Sequence, residues 1–216
     1  MNGGNNIPYK VLITAGPTIE PIDPVRYISN FSTGTMGYKI AAEAVRRGNK
    51  VCLVSGPVRL SPPDGAEVIN VTTAREMRDR IFERLDNTDC VIMTAAVCDF
   101  RPAEVKKQKI KKTGKLALDL IENPDILKEI GHRKGLVKVG FALETDNLLE
   151  NAKNKLNGKS LDIIVATMRG RQQDPFGGGE KTFTLLDREL NARELKKVTK
   201  DECAKIILDE VERLKA

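Results

Sequence analysis

The chain has 216 residues, 40% of them hydrophobic, and a formal net charge of +6. That length suits one α/β domain with a full core, and no apolar run nears the roughly 20 residues a membrane-crossing helix needs. Four cysteines (Cys52, Cys90, Cys98, Cys203) stand singly with no C-x-x-C pair, which reads as buried thiols in a reducing, cytoplasmic setting rather than a metal site or disulfide framework.

Residues 1–8, beginning Met1-Asn-Gly-Gly-Asn-Asn6, are too polar for a signal segment and read as a disordered lead-in to a single domain over 9–216. Residues 9–15 (Y-K-V-L-I-T-A) form a buried strand. A helix over 37–47 carries Ile40, Ala41, Ala44 and Val45 at helical spacing and is stopped by Gly48. Strands over 50–55 and 67–71 follow. Thr73 then caps a helix over 74–85, with Glu76 three residues on as a capping box.

Residues 89–95 (D-C-V-I-M-T-A) are the fourth strand, and a long basic loop spans about 101–118. Asn123-Pro124-Asp125 opens a short helix to about 130, with proline in its first turn. A strand over 136–141, a helix over 147–156 ended by Asn157-Gly158, and a strand over 161–166 continue the alternation. Next come a loop over 170–179, an antiparallel strand over 181–186, a short strand beginning at Val198 and an amphipathic helix over 201–214. Repeated β-α units with wholly apolar strands predict an α/β fold. It is a Rossmann-like doubly wound parallel sheet with a C-terminal antiparallel hairpin appendage (about 167–200) and a closing helix.

Chemistry concentrates in the run Asp23-Pro-Val-Arg-Tyr-Ile-Ser-Asn30-Phe-Ser-Thr-Gly34-Thr-Met-Gly37. It lies between the end of the first strand, at Gly16-Pro17-Thr18, and a helix N-terminus, where backbone N–H groups favour an anion. A bare dinucleotide fold needs no such insertion, so Arg26, Asn30 and Ser32 are expected to face a substrate. Two features count against a nicotinamide cofactor. Gly34 and Gly37 come some twenty residues too late for the glycine fingerprint, and Val54-Ser55-Gly56 closes the second strand without a carboxylate.

The carboxyl end of the fourth strand, Thr94-Ala95-Ala96-Val97-Cys98-Asp99, offers small residues to a flat ligand and, in Asp99, an acceptor for a sugar or base; a turn-forming aspartate is the equal alternative. Phe141 reads as core or as a stacking surface. Between 101 and 115 stand seven basic residues and one acid, so this stretch alone accounts for the net charge. A nucleic-acid binder spreads such charge over a face and interleaves aromatics, of which the loop from 104 to 116 has none. A loop of this length fits a lid over a small polyanion. His132 sits in a polar turn as a bystander.

Seven motifs in order make the chain resemble the phosphopantothenate–cysteine ligase family, the synthetase half of the bacterial coenzyme A biosynthesis flavoprotein. They are Ile13-Thr-Ala-Gly-Pro-Thr18, Asp23–Gly37, Ala95-Ala-Val-x-Asp99, Lys109-Ile-Lys-Lys112, Asn123-Pro-Asp-Ile126, Phe141-Ala-x-Glu-Thr145 and Lys155-x-x-x-Lys159-x-x-Asp162. The resemblance implies ligation of 4′-phosphopantothenate to cysteine through an acyl nucleotide, with CTP favoured over ATP, Mg²⁺ accompanying the triphosphate, no flavin, and a homodimer. A flavin-dependent decarboxylase would be a separate protein.

By the same resemblance Asn30 polarises the acyl carbonyl, Arg26 contacts substrate, and Lys109 neutralises phosphate charge. Gly16, Ser32, Gly34, Gly37, Met93, Ala95, Asp99, the turn Pro124, Asp125, Ile126 and Leu127, Phe141, Lys155 and Lys159 hold the nucleotide. A plain doubly wound sheet puts Lys155 and Lys159, near a helix end, away from that site. The chain departs from the family at Thr35, where lysine is usual, at Met93, at Ala166-Thr167-Met168 and at Phe176-Gly-Gly-Gly-Glu-Lys181. A nucleotide-binding protein without turnover is the rival reading.

Overall fold

The computed structural model describes residues 8–112, 114–170 and 176–215. Of the expected lead-in only Pro8 falls within them, and half of the loop at 170–179 lies outside. In chain order β1 (Lys10–Ala15) leads to a hairpin of β2 (Ile19–Pro21) and β3 (Tyr27–Ser29), then α1 (Thr35–Arg46) and β4 (Lys50–Ser55). β5 (Glu67–Asn70), α2 (Ala74–Leu85) and β6 (Cys90–Met93) precede a second hairpin, β7 (Phe100–Pro102) and β8 (Leu120–Glu122). α3 (Ile126–Gly131), β9 (Val137–Glu144), α4 (Leu148–Gly158) and β10 (Ile163–Met168) follow. β11 (Lys181–Asp187), β12 (Ala192–Val198) and α5 (Lys200–Lys215) come last.

One sheet runs β12-β11-β10-β9-β6-β1-β4-β5. β10, β9, β6, β1, β4 and β5 pair in parallel, and β11 and β12 add an antiparallel edge. The strands are apolar on both faces because both faces are covered. Alternate residues divide cleanly. Val11, Ile13 and Ala15 pack with Ile40 and Ala44 of α1 and Ile207 and Val211 of α5. Leu12 packs on the other face with Met77 and Ile81 of α2, Ile130 of α3 and Leu156 of α4.

The capping box at Thr73 is present, its hydroxyl accepting from Glu76 N–H at 3.2 Å. Other expectations need correction. The two short hairpins have three-residue strands, each pair containing a proline, and no periodicity is legible over three positions. β12 ends at Val198 instead of beginning there; it is an edge strand with Leu195 alone buried, so its sequence A-R-E-L-K-K-V does not look like a core strand. α4 runs on through Asn157 and Gly158, and the left-handed turn falls at Ser160, φ +49°. Pro124 precedes α3 rather than opening it. Asp125 is the N-cap, accepting from Lys128 N–H at 3.1 Å.

From β1 the chain crosses to β4 on one side, and from β6 to β9 on the other. The strand order therefore reverses between β1 and β6, leaving a crevice beyond their carboxyl ends. Past the strands, Ala96 N–H donates to Gly16 O (2.9 Å) and Thr18 N–H to Ala96 O (3.1 Å), which fixes the base of that crevice.

Candidate active site

A cleft of about 630 Å³ opens at the reversal. Its first wall is the N-terminus of α1. Gly34, the N-cap, has φ +76°, no side chain caps the helix, and its first turn has no acid. The free N–H groups and the helix dipole thus favour an anion there. Ser32 Oγ accepts from Gly34 N–H at 3.3 Å. Gly37 lets the helix descend onto the sheet, since a Cβ there would lie 2.6 Å from both Ala15 Cβ and Thr94 Oγ1 and 2.9 Å from Thr14 O.

The floor is the segment from Met93 through Ala95 to Asp99. Thr94 Oγ1 donates to Thr14 O (2.6 Å) and Ala95 N–H to Thr14 Oγ1 (3.1 Å), pinning it to β1. Asn123 holds its far end, with Nδ2 donating to Cys98 O (2.9 Å) and N–H to Asp99 O (2.7 Å). Asn30 overhangs the floor. Its Nδ2 donates to Ala96 O at 2.9 Å, with Cys98 Sγ a weak second acceptor at 3.7 Å.

The second wall joins Pro124, Asp125, Ile126 and Leu127 to Phe141, Lys155 and Lys159. Lys155 Nζ donates to Phe141 O at 2.7 Å, and Lys159 Nζ pairs with Asp125 Oδ1 at 3.0 Å. Burial lowers the pKa of the Lys155 ammonium, and the like charge of Lys159 lowers it further. The position of these lysines corrects the simple sketch. β6 ends opposite Gly140, so β9 overhangs it by the four residues Phe141–Glu144. Lys155, eighth in α4, has descended roughly 10 Å at 1.5 Å per residue. Phe141 lies three residues, again roughly 10 Å, below the top of β9. The ammonium and the cleft thus meet at the same level.

A third wall was missed from sequence. The Arg169 guanidinium lies over the rings of Phe31 (5.4 Å) and Phe176 (5.7 Å). Phe176 O accepts from Thr33 Oγ1 (3.4 Å) and Lys200 Nζ (3.3 Å). Phe176 follows the carboxyl end of β10, and the antiparallel pair β11 and β12 carries the chain away and back so that Lys200 returns to the same end, which nothing in local sequence signals.

The family model for the DNA/pantothenate metabolism flavoprotein C-terminal domain matches residues 8–214. The chain belongs to this family. It is 44% identical over 204 residues to the coenzyme A biosynthesis bifunctional protein CoaBC of Bacillus subtilis (strain 168), covering 93% of this chain and 50% of that protein. It is 41% identical over 206 residues to a cysteine/cysteine sulfinic acid decarboxylase of an unknown prokaryotic organism, covering 94% and 57%. The chain thus spans about half the length of these curated relatives. A crystal structure of the C-terminal domain of a coenzyme A biosynthesis bifunctional protein CoaBC superposes with a TM-score of 0.84 at 38% identity, covering 98% of each chain.

Three residues that the family resemblance singles out stand outside the cleft lining. Gly16 lies beneath the floor as the acceptor for Ala96. Arg26 pairs with Asp23 at 2.7 Å. Its Nη2 also donates to Ile110 O at 2.8 Å. Lys109 is exposed, one residue before that anchored peptide. Among the described residues no group of three His, Cys, Asp or Glu side chains gathers to cage a metal, and no helix is long and apolar enough to cross a membrane.

Proposed function

We propose that the chain is a phosphopantothenate–cysteine ligase acting in coenzyme A biosynthesis with CTP. The supporting observation is convergence. Motifs at 30–37, 93–99, 123–127, 141 and 155–159, far apart in sequence, line a single cleft with an anion-favouring helix end on one wall and two lysines on another.

In the first step the phosphopantothenate carboxylate attacks the α-phosphorus of CTP. A carboxylate oxygen–phosphorus bond forms, the bond to the bridging oxygen breaks, and pyrophosphate leaves. In the second, the cysteine amine attacks the acyl carbonyl, CMP departs with the bonding pair, and the amine releases a proton. The site has no activated nucleophile to contribute, so its role is positioning and charge stabilisation.

The α1 N–H groups and Lys155 and Lys159 take phosphate charge, while Asp99, Phe141 and the Pro124–Leu127 turn hold the sugar and base. Lys109 neutralises charge on the leaving pyrophosphate. Asn30 holds the acyl intermediate. One amide hydrogen stays on Ala96 O, and a substrate carbonyl displaces the weak sulfur acceptor Cys98 from the other. Mg²⁺ belongs to the substrate, arriving on the triphosphate with its own waters. Residues 9–216 act as one ligase domain with a basic lid (101–118) and an appendage (167–200), in the cytoplasm and as a homodimer.

Pyrophosphate release is the test, measured with CTP or ATP and with or without 4′-phosphopantothenate and cysteine. Release should require phosphopantothenate and be faster with CTP. Faster release with ATP would overturn the nucleotide preference alone. Nucleotide binding without release would leave a binding protein of the same fold. Nucleotide-independent loss of CO₂ from cysteine would favour the activity for which the second relative is named.

A further inference from the structure

The segment carrying Lys109 is tied to the signature insertion through one buried carboxylate. Asp23 is 3% exposed, and its two oxygens divide the work. Oδ1 accepts from Val25 N–H (2.8 Å) and Arg26 N–H (2.9 Å), which closes the β2–β3 turn. Oδ2 accepts from Arg26 Nη2 (2.7 Å) and from Ile110 N–H (3.1 Å). Since Arg26 Nη2 also donates to Ile110 O, both polar backbone groups of Ile110 are held by one ion pair more than eighty residues away. A second tie, Lys106 N–H to Ile22 O at 2.9 Å, secures the segment four residues earlier.

Turn closure needs only one acceptor oxygen. The grip on Ile110 exceeds what the turn requires and falls on the residue next to the expected lid lysine. No helix or strand is found among the described residues between β7 and β8, so the backbone there depends on such ties. Burial raises the Asp23 pKa, but the bonds from Ile110, Val25 and Arg26 outweigh it and hold the value at about 2. The clamp therefore stays charged throughout any ordinary assay range.

We propose that Asp23 is a positioning residue for Lys109, acting through Arg26 and the Ile110 peptide and touching no reacting atom. This role rests on the ligase reading. Fixing Ile110 confines the lysine one position earlier to orientations from which it reaches the leaving pyrophosphate, so charge stabilisation is preorganised.

Asp23→Asn separates the two functions of the side chain. Its remaining oxygen keeps the turn, while an amide nitrogen in place of Oδ2 opposes the Ile110 N–H and loses the ion pair. The kcat for CTP-dependent pyrophosphate release should fall about tenfold or more, short of the roughly 10²-fold that outright loss of a preorganised donor costs, with the KM for CTP little changed. Exchange of the Ile110 amide should quicken. Because Asp23 acts through Lys109, adding Asp23→Asn to Lys109→Gln should cost no more than about twofold beyond Lys109→Gln alone, in contrast to the multiplying losses of independent sites.

Should Asp23→Asn fail to fold, Arg26→Gln keeps all three backbone donors to Asp23, drops only the Nη2 links, and should show the same non-additivity. Equal kcat in variant and wild type, or losses that multiply, would overturn the positioning role while the ligase reading stands. A wild-type protein that releases no pyrophosphate would overturn both.

Discussion

Lys155 is a cleft side chain whose chemistry the fold changes. Burial and the neighbouring Lys159 both lower its pKa below the ordinary lysine value. A phosphate anion restores the charged form, so nucleotide binding takes up a proton and affinity falls as pH rises through the lowered pKa. Calorimetric titration of CTP should show that weakening below the pH at which an ordinary lysine titrates, and Lys155→Met should flatten it. Persistence of the alkaline limb in Lys155→Met would assign it elsewhere. The same sign governs stability: the unfolded chain holds this proton more readily than the folded one, so Lys155 makes stability rise with pH across that window. Arg26, expected to contact substrate, pairs in the fold with a buried aspartate three residues away.

At the scale of elements, α1 sets the geometry of the phosphate wall, and Gly37 decides how closely it approaches. Helix propensity alone favours alanine there by about 1 kcal/mol. Overpacking costs about 1–3 kcal/mol, and two of the three nearest contacts, Ala15 Cβ and Thr14 O, belong to a buried central strand that cannot give way. Crowding wins. Urea unfolding of Gly37→Ala should show net destabilisation, and nucleotide affinity should weaken as the helix end lifts; a stabilised variant would contradict this packing. The capping box on α2 was legible because it is written within four residues. The hairpins were not, because pairing partners such as Phe100 and Glu122 stand 22 positions apart across a polar segment.

At the scale of the whole molecule, β2 and β7 pack together and unite the two hairpins into one arm. Val25, Tyr27, Leu120 and Ile121 on this arm are all more than 40% exposed. Exposed apolar side chains gathered on one arm suit an interaction surface, which fits the homodimer implied by the family resemblance. Sedimentation should find a dimer for the wild type and a monomer for Val25→Glu combined with Ile121→Lys, with the thermal midpoint of the monomer otherwise preserved. A double variant that remains dimeric would place the interface elsewhere.

The layered architecture and most of the cleft lining were legible in the order of residues. Strand burial on both faces, helix periodicity and caps are local properties, and contiguous motifs such as Ala95–Asp99 and Asn123–Ile126 place their own residues at strand and helix ends. Tertiary structure alone decided the rest. Lys155 reaches the cleft because β9 outruns β6, Lys200 meets Phe176 because β11 and β12 turn the chain back antiparallel, and Arg26 turns toward Ile110 because Asp23 is buried. Each depends on lengths and pairings between segments far apart in sequence, which no local pattern of residues encodes.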